Sequence, residues 1–187
     1  KRDRSSDRIG ELRSLSGRYE SELKAFLERL ARGKISGATY RQVQFLLEWS
    51  TEVSQVVDLL HAFLEVQVDR ERNEVFFAPK QRSRLVSMMG ELALGMEAIG
   101  PLNGPTVLGR KSARDHLNRV ELHLSSANVI REQMRLRHLE DARKGRYSVE
   151  SGVTFNEMGN LLEEIGVRLG ILSSKYEEIF MASSQKQ

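Results

Sequence analysis

The sequence of 187 residues has no cysteine, only three prolines and few aromatic residues, which make up 6% of the chain. Without cysteine, a disulfide framework, a thiolate metal site and a cysteine nucleophile are all excluded. No segment alternates β-branched and polar residues between hairpin turns, so no strand is predicted. No apolar run approaches the roughly 18 residues of a membrane-spanning helix. What remains is the composition of a helical protein.

The charges favour neither sign strongly, because 29 Lys and Arg face 26 Asp and Glu, which gives a net charge of +3. Acidic and basic residues are interleaved along the chain, whereas a nucleic-acid binder needs a continuous basic stripe. Only residues 131–146 are locally basic, and basic residues at a helix end are stabilised by the helix dipole. We therefore predict no nucleic-acid partner.

Hydrophobic periodicity and capping residues predict five helices and no other regular structure. They cover about residues 5–33, 37–73, 79–99, 112–144 and 148–182. Gly33 suits the end of the first helix, Ser36 and Ser148 suit helix caps, and Pro79 suits a first helical turn. Long helices joined by short loops favour an all-α fold, a bundle of antiparallel helices.

The fifth predicted helix has the most regular apolar face. Its apolar residues are spaced by three and four, as in a helix packed lengthwise against others; they are Phe155, Met158, Leu162, Ile165, Leu169, Leu172, Tyr176 and Ile179. The third and fourth helices have inner faces formed by Leu85, Met88, Leu92 and Met96, and by Leu117, Val120, Leu124, Ala127 and Met134. The apolar positions of the first helix are Ile9, Leu12, Tyr19, Leu23, Phe26 and Leu30.

The second predicted helix is apolar on two sides, so it needs two sets of neighbours. One stripe consists of Val43, Leu46, Val53, Val57, Leu60 and Leu64. The other stripe consists of Phe45, Trp49, Val56, Leu59, Phe63 and Val66.

No motif predicts catalysis. Residues 104–112 are rich in glycine but lack the spacing and the preceding strand of a phosphate loop. His116 and His123 lie about two turns apart on one helix, yet no histidine belongs to an HExxH or nucleophile motif. Glu48 and Glu52 lie four residues apart and form a single candidate metal pair. Hard cations need several oxygen ligands, so a solvated acidic face is the simpler interpretation.

The last third of the chain resembles the PhoU-like domain, in the version fused to sodium/phosphate cotransporter-like membrane proteins. The resemblance rests on Arg137-His138-Leu139 followed by Gly145, on Ser148-Val149-Glu150-Ser151-Gly152 and on Leu162-Glu163-Glu164-Ile165-Gly166. Residues 18–34 and 42–77 resemble the second and third helices of that family. The resemblance implies two pseudo-symmetric bundles, residues 1–78 and 79–187, of which the first lacks its first helix.

The PhoU-like family usually holds surface metal ions with a Glu/Asp-x-x-x-Asp motif on the third helix of each bundle. The matching positions are Glu163 with Val167 and Glu52 with Val56, and Glu48 with Glu52 is the other registration. Valine in place of the second carboxylate implies a metal-free variant whose outer patch contacts another surface. No metal or other cofactor is therefore expected.

The missing first helix implies that one stripe of the second helix lacks a partner within the chain. We expect another copy of the chain, or an upstream segment, to cover Phe45, Trp49, Val56, Leu59 and Phe63. A second candidate interface is the basic end, which could approach anionic lipid headgroups or an acidic partner. The residues of the basic end are Arg135, Arg137, Arg143, Lys144 and Arg146.

The resemblance implies a non-enzymatic regulatory or interaction domain of a sodium/phosphate cotransporter-like membrane protein. It would lie in the cytoplasm at the inner face of the membrane, joined to an N-terminal membrane domain outside this sequence. One alternative is a free-standing PhoU-like adaptor in phosphate signalling. Another is a metal-binding helical bundle, although that class uses a Glu-x-x-His motif that the sequence lacks.

Overall fold

The structure is a computed structural model that describes residues 2–33, 35–103 and 109–184. Its helices are α1 (Arg2–Ala31), α2 (Gly37–Arg72), α3 (Pro79–Ile99), α4 (Arg110–Arg143) and α5 (Val149–Ser184), with a short 3-10 helix at Gly100–Asn103. No strand occurs among these residues. The predicted all-α class is therefore confirmed, and each helix begins and ends within a few residues of the predicted position.

Two predicted capping residues, Ser36 and Ser148, and one glycine that was not predicted as a cap set helix boundaries. Ser36 begins α2 by accepting a hydrogen bond from the Thr39 N–H at 3.1 Å. Ser148 begins α5 in the same way, with the Ser151 N–H at 3.1 Å. Gly145 ends α4 with a φ of 61°, a left-handed conformation that glycine adopts without the steric cost of a Cβ.

The helices pack in layers around α5. Helices α3, α4 and α5 contact one another as a three-helix bundle, α2 lies along α5, and the main neighbour of α1 is α2. The link between α2 and α3 falls at the predicted boundary between residues 1–78 and 79–187. That division into two halves remains a prediction.

The core follows the predicted faces of the last three helices. The seam of α5 is buried from Phe155 to Leu172, and Tyr176 packs against it. The side chain of Ile179 lies outside the described part of the chain. From the inner face of α3, Leu85, Met88 and Leu92 are buried, and from that of α4, Leu117, Val120, Ala127 and Met134.

The stripe of α2 that was expected to lack a partner is covered by α5. Trp49, Val56 and Phe63 are buried, and Phe45 and Leu59 pack against the same core. The Trp49 ring meets Tyr176 of α5 edge-on, with ring centroids 6.4 Å apart. The expectation that another copy or an upstream segment covers this stripe was wrong, because α5 packs along α2 as well as against α3 and α4.

The apolar positions predicted for α1 do not form a core face where their side chains are described, which excludes Ile9. Leu12, Tyr19 and Phe26 are 49%, 59% and 55% exposed, and Leu30 is also exposed. Helix α1 has one main neighbour, so most of its surface faces solvent. Among the described side chains of α1, the face turned towards α2 is largely polar, and its one buried apolar residue is Leu27, which the apolar pattern did not include.

Helix α3 corrects a second expectation. Among the described residues, Pro79–Leu102 alone is long and apolar enough to cross a membrane, with a mean hydropathy of 1.3 in its most apolar stretch. The prediction that no segment approaches this length was wrong, because residues 85–102 contain only two charged residues, Glu91 and Glu97. In the structure, the inner face of this helix packs in the helical core.

Replacing Phe63 by alanine tests the contact of α2 with α5. Phe63 is 6% exposed, and emptying such a site costs about 3–5 kcal/mol of unfolding free energy. Phe76→Ala is a matched control, because its side chain is 77% exposed. Urea denaturation followed by circular dichroism should show a large loss for Phe63→Ala and a loss below about 1 kcal/mol for Phe76→Ala. Equal losses would contradict the packing described.

Candidate functional site

Glu163, a degenerate motif position on α5 at which no metal was expected, binds two arginines of α4. Arg131 Nε donates to Glu163 Oε2 at 3.0 Å. Arg135 Nη2 donates to both oxygens of the same carboxylate, at 3.0 and 2.9 Å. Because a planar guanidinium matches a carboxylate in shape, such pairs are strong and directional. A cation binding at Glu163 would have to compete with two resident positive charges.

Arg131 is a buried arginine, with 2% of its surface exposed. Its Nη2 also donates to Asn160 and lies 3.5 Å from Asn156 Oδ1. Gly159 supplies the space, because a Cβ there would lie 2.8 Å from Arg131 Nη1. A buried charge is tolerated when it is paired and its other donors are hydrogen-bonded. The sequence around Glu163 is therefore arranged to bury one arginine.

Glu52 and Glu48 of α2 point towards basic residues of α5. Arg168 Nη1 donates to Glu52 Oε2 at 3.3 Å and Arg168 Nη2 lies 2.9 Å from Glu164 Oε1. Lys175 Nζ donates to Glu48. That hydrogen bond, together with the nearby negative charges, raises the pKa of Lys175. These carboxylates thus form ion pairs between α2 and α5, and do not converge on one point.

The two valines of the predicted motifs lie in different surroundings. Val167 is 51% exposed beside Glu163, as the sequence predicts for an outer patch. Val56 is buried in the core, so the prediction that Glu52 and Val56 share an outer surface was wrong. Across the described residues, no group of three or more His, Asp or Glu side chains lies close enough to hold a metal ion.

The turn between α4 and α5 is fixed by an aromatic pair. The rings of His138 and Tyr147 stack with centroids 5.5 Å apart and an angle of 16°. The Tyr147 hydroxyl donates to the His138 carbonyl at 2.6 Å and lies 2.7 Å from His138 Nδ1. Since the hydroxyl has one proton, which it gives to the carbonyl, we assign the Nδ1–H tautomer to His138. Gly152 allows the aromatic pair to pack closely against α5, because a Cβ at this position would lie 3.1 Å from the Tyr147 ring.

Beside this pair is an open cleft of about 460 Å³. Its lining combines the edge of the aromatic pair with polar side chains of α5, namely Asn156, Glu157 and Asn160. Burial, followed by the charge of Arg131, lowers the pKa of His138, while Asp141 acts in the opposite direction. Burial also raises the pKa of Tyr147. At neutral pH both rings are therefore uncharged.

Ser151 connects this end of α5 to the link before α3. Its side chain is 1% exposed. The hydroxyl donates to the Phe76 carbonyl at 3.1 Å and lies 3.3 Å from Gln81 Oε1, which also accepts from the Ala78 N–H at 2.9 Å. Ser151, which belongs to the stretch that carries the family resemblance, thus contacts the link between the two predicted halves.

The predicted basic end lies at the same turn, where its charges are partly compensated. Arg137 pairs with Glu140 at 2.9 Å and Arg146 pairs with Asp141 at 2.7 Å. Arg135 is drawn to Glu163, while Arg143 and Lys144 are exposed. Sequence reasoning missed the apolar residues exposed at this end, which are Leu136, Leu139, Val149 and Val153.

The remaining sequence candidates are placed differently. His123 Nδ1 lies 2.9 Å from Glu91 Oε2 of α3, a partner that the sequence did not suggest. His116 is half-buried on the same helix as His123. The glycine-rich segment 104–112 falls mostly outside the described residues, which resume at Gly109.

Comparison of the chain with protein-family models, with curated proteins and with solved structures found no match.

Replacing Gly159 by alanine tests the buried Arg131. The added Cβ would push the guanidinium away from Glu163, and overpacking of this kind costs about 1–3 kcal/mol. Gly90→Ala is the control, since nothing lies within 4 Å of a Cβ at that helical position, and it should stabilise by about 0.5–1 kcal/mol. Thermal unfolding of both variants gives the comparison. A neutral Gly159→Ala would contradict the close contact.

The His138 environment predicts a pH dependence of stability. Its folded pKa is below the unfolded value of about 6.5, so the unfolded chain binds more protons as the pH falls through that value. The stabilisation is complete above about pH 6.5 and is lost towards lower pH. We expect the urea concentration at the unfolding midpoint to decrease as the pH is lowered from 7.5 to 5.5. In His138→Gln this decrease should be smaller. An equally large decrease of the urea midpoint in His138→Gln would exclude His138 as the source of the pH dependence.

Proposed function

We propose that the chain is a non-enzymatic PhoU-like regulatory or interaction domain of a sodium/phosphate cotransporter-like membrane protein. It would act by packing helices against the transporter or against a partner in phosphate transport. The arrangement of the helices supports this proposal. Helices α3 to α5 form one three-helix bundle and α1 with α2 form a hairpin, as expected for two related halves of which the first is one helix short.

The observation that carries the proposal is that the acidic residues at the motif positions form ion pairs with neighbouring helices. Glu163 holds Arg131 and Arg135, Glu52 holds Arg168, and Glu48 holds Lys175. Each carboxylate at a motif position therefore joins two helices through an ion pair. Hard cations need several free oxygen ligands, and these carboxylates are already paired with arginine or lysine. This pairing supports a role in helix packing and not in metal binding.

The end of the bundle at the α4–α5 turn is the surface that we propose meets the membrane. It combines exposed Arg143 and Lys144 with the exposed apolar side chains of Leu139, Val149 and Val153. Basic residues near an anionic leaflet contribute about 1 kcal/mol each, and exposed apolar side chains add to binding at the interface. This assignment would place the domain at the cytoplasmic face.

A free-standing PhoU-like adaptor would use the same surfaces, with a soluble partner in place of the transporter. A metal-binding helical bundle is the other alternative, and it would need cations to displace the arginines from Glu163. Both alternatives give results that differ from the proposal in one transport experiment.

The experiment measures sodium-driven phosphate uptake into vesicles of phosphatidylcholine and phosphatidylserine. The vesicles contain a sodium/phosphate cotransporter-like protein from the source organism, with its cytoplasmic face accessible. Added chain should change the uptake rate by about twofold or more, and a chelator should not abolish the effect. Arg143→Gln/Lys144→Gln should weaken the effect, because each removed charge lowers affinity for the anionic surface.

The double variant Arg41→Gln/Arg82→Gln is the control, since it removes the same charge from exposed positions on α2 and α3. If saturating chain leaves uptake unchanged, the transporter proposal fails and a soluble partner is favoured. If chelation abolishes the effect, the metal-binding alternative replaces the proposal.

A further inference from the structure

Helix α1 presents an exposed apolar face on the side of the α1–α2 hairpin away from the polar groove. The groove is lined by Glu20, Lys24, Glu48 and Lys175, among other residues. Bonds from Arg13 to Asp58 and between Ser16 and Ser54 fix which face of α1 meets α2. At 100° per residue, the apolar side chains lie about a quarter turn from that contact. They are Leu12, Leu15, Tyr19, Phe26 and Leu30.

This face is large enough for a stable contact between two proteins. The five side chains are between 36% and 59% exposed, which corresponds to roughly 500 Å² of surface per copy on the usual sizes of these residues. A standard interface buries about 800 Å² per partner, of which somewhat more than half is apolar. Leu46 and Val53 of α2, which are also exposed, extend the face on the same side of the hairpin.

A row of charges beside this face identifies the occupant. Glu11, Arg18, Glu22 and Arg29 are spaced by seven, four and seven residues, so they form one line along the helix. All four are exposed. Among the residues that the structure describes, none of the four forms an ion pair. Their order is acidic, basic, acidic, basic.

This order is complementary to itself when the direction of the helix is reversed. In an antiparallel pair centred on Glu20, position 11 faces position 29 of the partner copy, and position 18 faces position 22. A two-fold axis brings equal flanks of the two helices together. Each glutamate of the row would then face an arginine of the other copy, which gives four ion pairs. A parallel pair would place like charges side by side.

We propose that α1 packs antiparallel against α1 of a second copy of this chain, across a two-fold axis near Glu20. The apolar face forms the centre of the contact and the four charges form one edge. The contact does not depend on the proposed role in phosphate transport. It also differs from the expected contact through Trp49 and Phe63, which α5 already covers.

Charge exchange tests both the contact and its register. Arg18→Glu places a glutamate at position 18 opposite Glu22 of the other copy, on both sides of the axis. Glu22→Arg likewise places an arginine at position 22 opposite Arg18 of the other copy. Each single variant should weaken dimerisation about tenfold or more, as expected for like charges at an interface. The double variant Arg18→Glu/Glu22→Arg restores opposite charges, and should return to within about threefold of the natural chain. Sedimentation equilibrium of the whole chain gives the constants.

Crosslinking gives an independent measurement, because the sequence has no cysteine. Tyr19→Cys lies beside the axis, so two copies should form a disulfide readily. Leu30→Cys is the control, because ten residues from the centre place it about 30 Å from its equivalent. Circular dichroism confirms that each variant remains helical.

Three results would overturn the proposal. The first is a chain that stays monomeric at high concentration, which would assign the face to an occupant other than a second copy. The second is a dimer that Arg18→Glu leaves unchanged, which would place the contact elsewhere. The third is equal crosslinking of Tyr19→Cys and Leu30→Cys, which would indicate parallel helices. Failure of the transport experiment alone leaves this proposal standing.

Discussion

The structure depends on the burial of α5 by three other helices. Its seam packs against α3 and α4 on one side, and its other side receives Trp49, Val56 and Phe63 of α2. Each buried side chain of this size contributes roughly 1.5–3 kcal/mol before the entropy of folding is counted. Because α2 joins α3 and α4 chiefly through α5, this one helix makes a single core out of two sets of helices.

Ion pairs follow both sides of that seam. Arg131 and Arg135 reach Glu163 from α4, while Arg168 and Lys175 reach α2. Pairs of this kind contribute little net stability, but an unpaired partner is costly when it is buried, as Arg131 is. They therefore disfavour alternative registers of α5, in which Arg131 would lose Glu163. The acidic positions that the sequence analysis compared with a metal motif have this structural role.

The sequence predicted most of the fold because local signals agree with it. Ser36, Pro79 and Ser148 mark helix starts by local chemistry, and the spacing from Phe155 to Leu172 specifies a buried face. The sequence did not predict which helices contact each other, because periodicity identifies an apolar face but not the helix that covers it. The stripe of Trp49 and Phe63 was therefore assigned to the wrong neighbour, and the arginines bound to Glu163 were not anticipated.

The single-sided attachment of α1 has a consequence for how the molecule opens. Its contact with α2 is mostly polar, and Leu27 is its only buried hydrophobic side chain among the described residues. Segments with few buried apolar contacts open locally at small free energies, while the core stays closed. Amide hydrogens of α1 should therefore exchange with solvent long before those of α5. A second copy bound to α1 would slow that exchange, so assembly and local order would be linked through one helix.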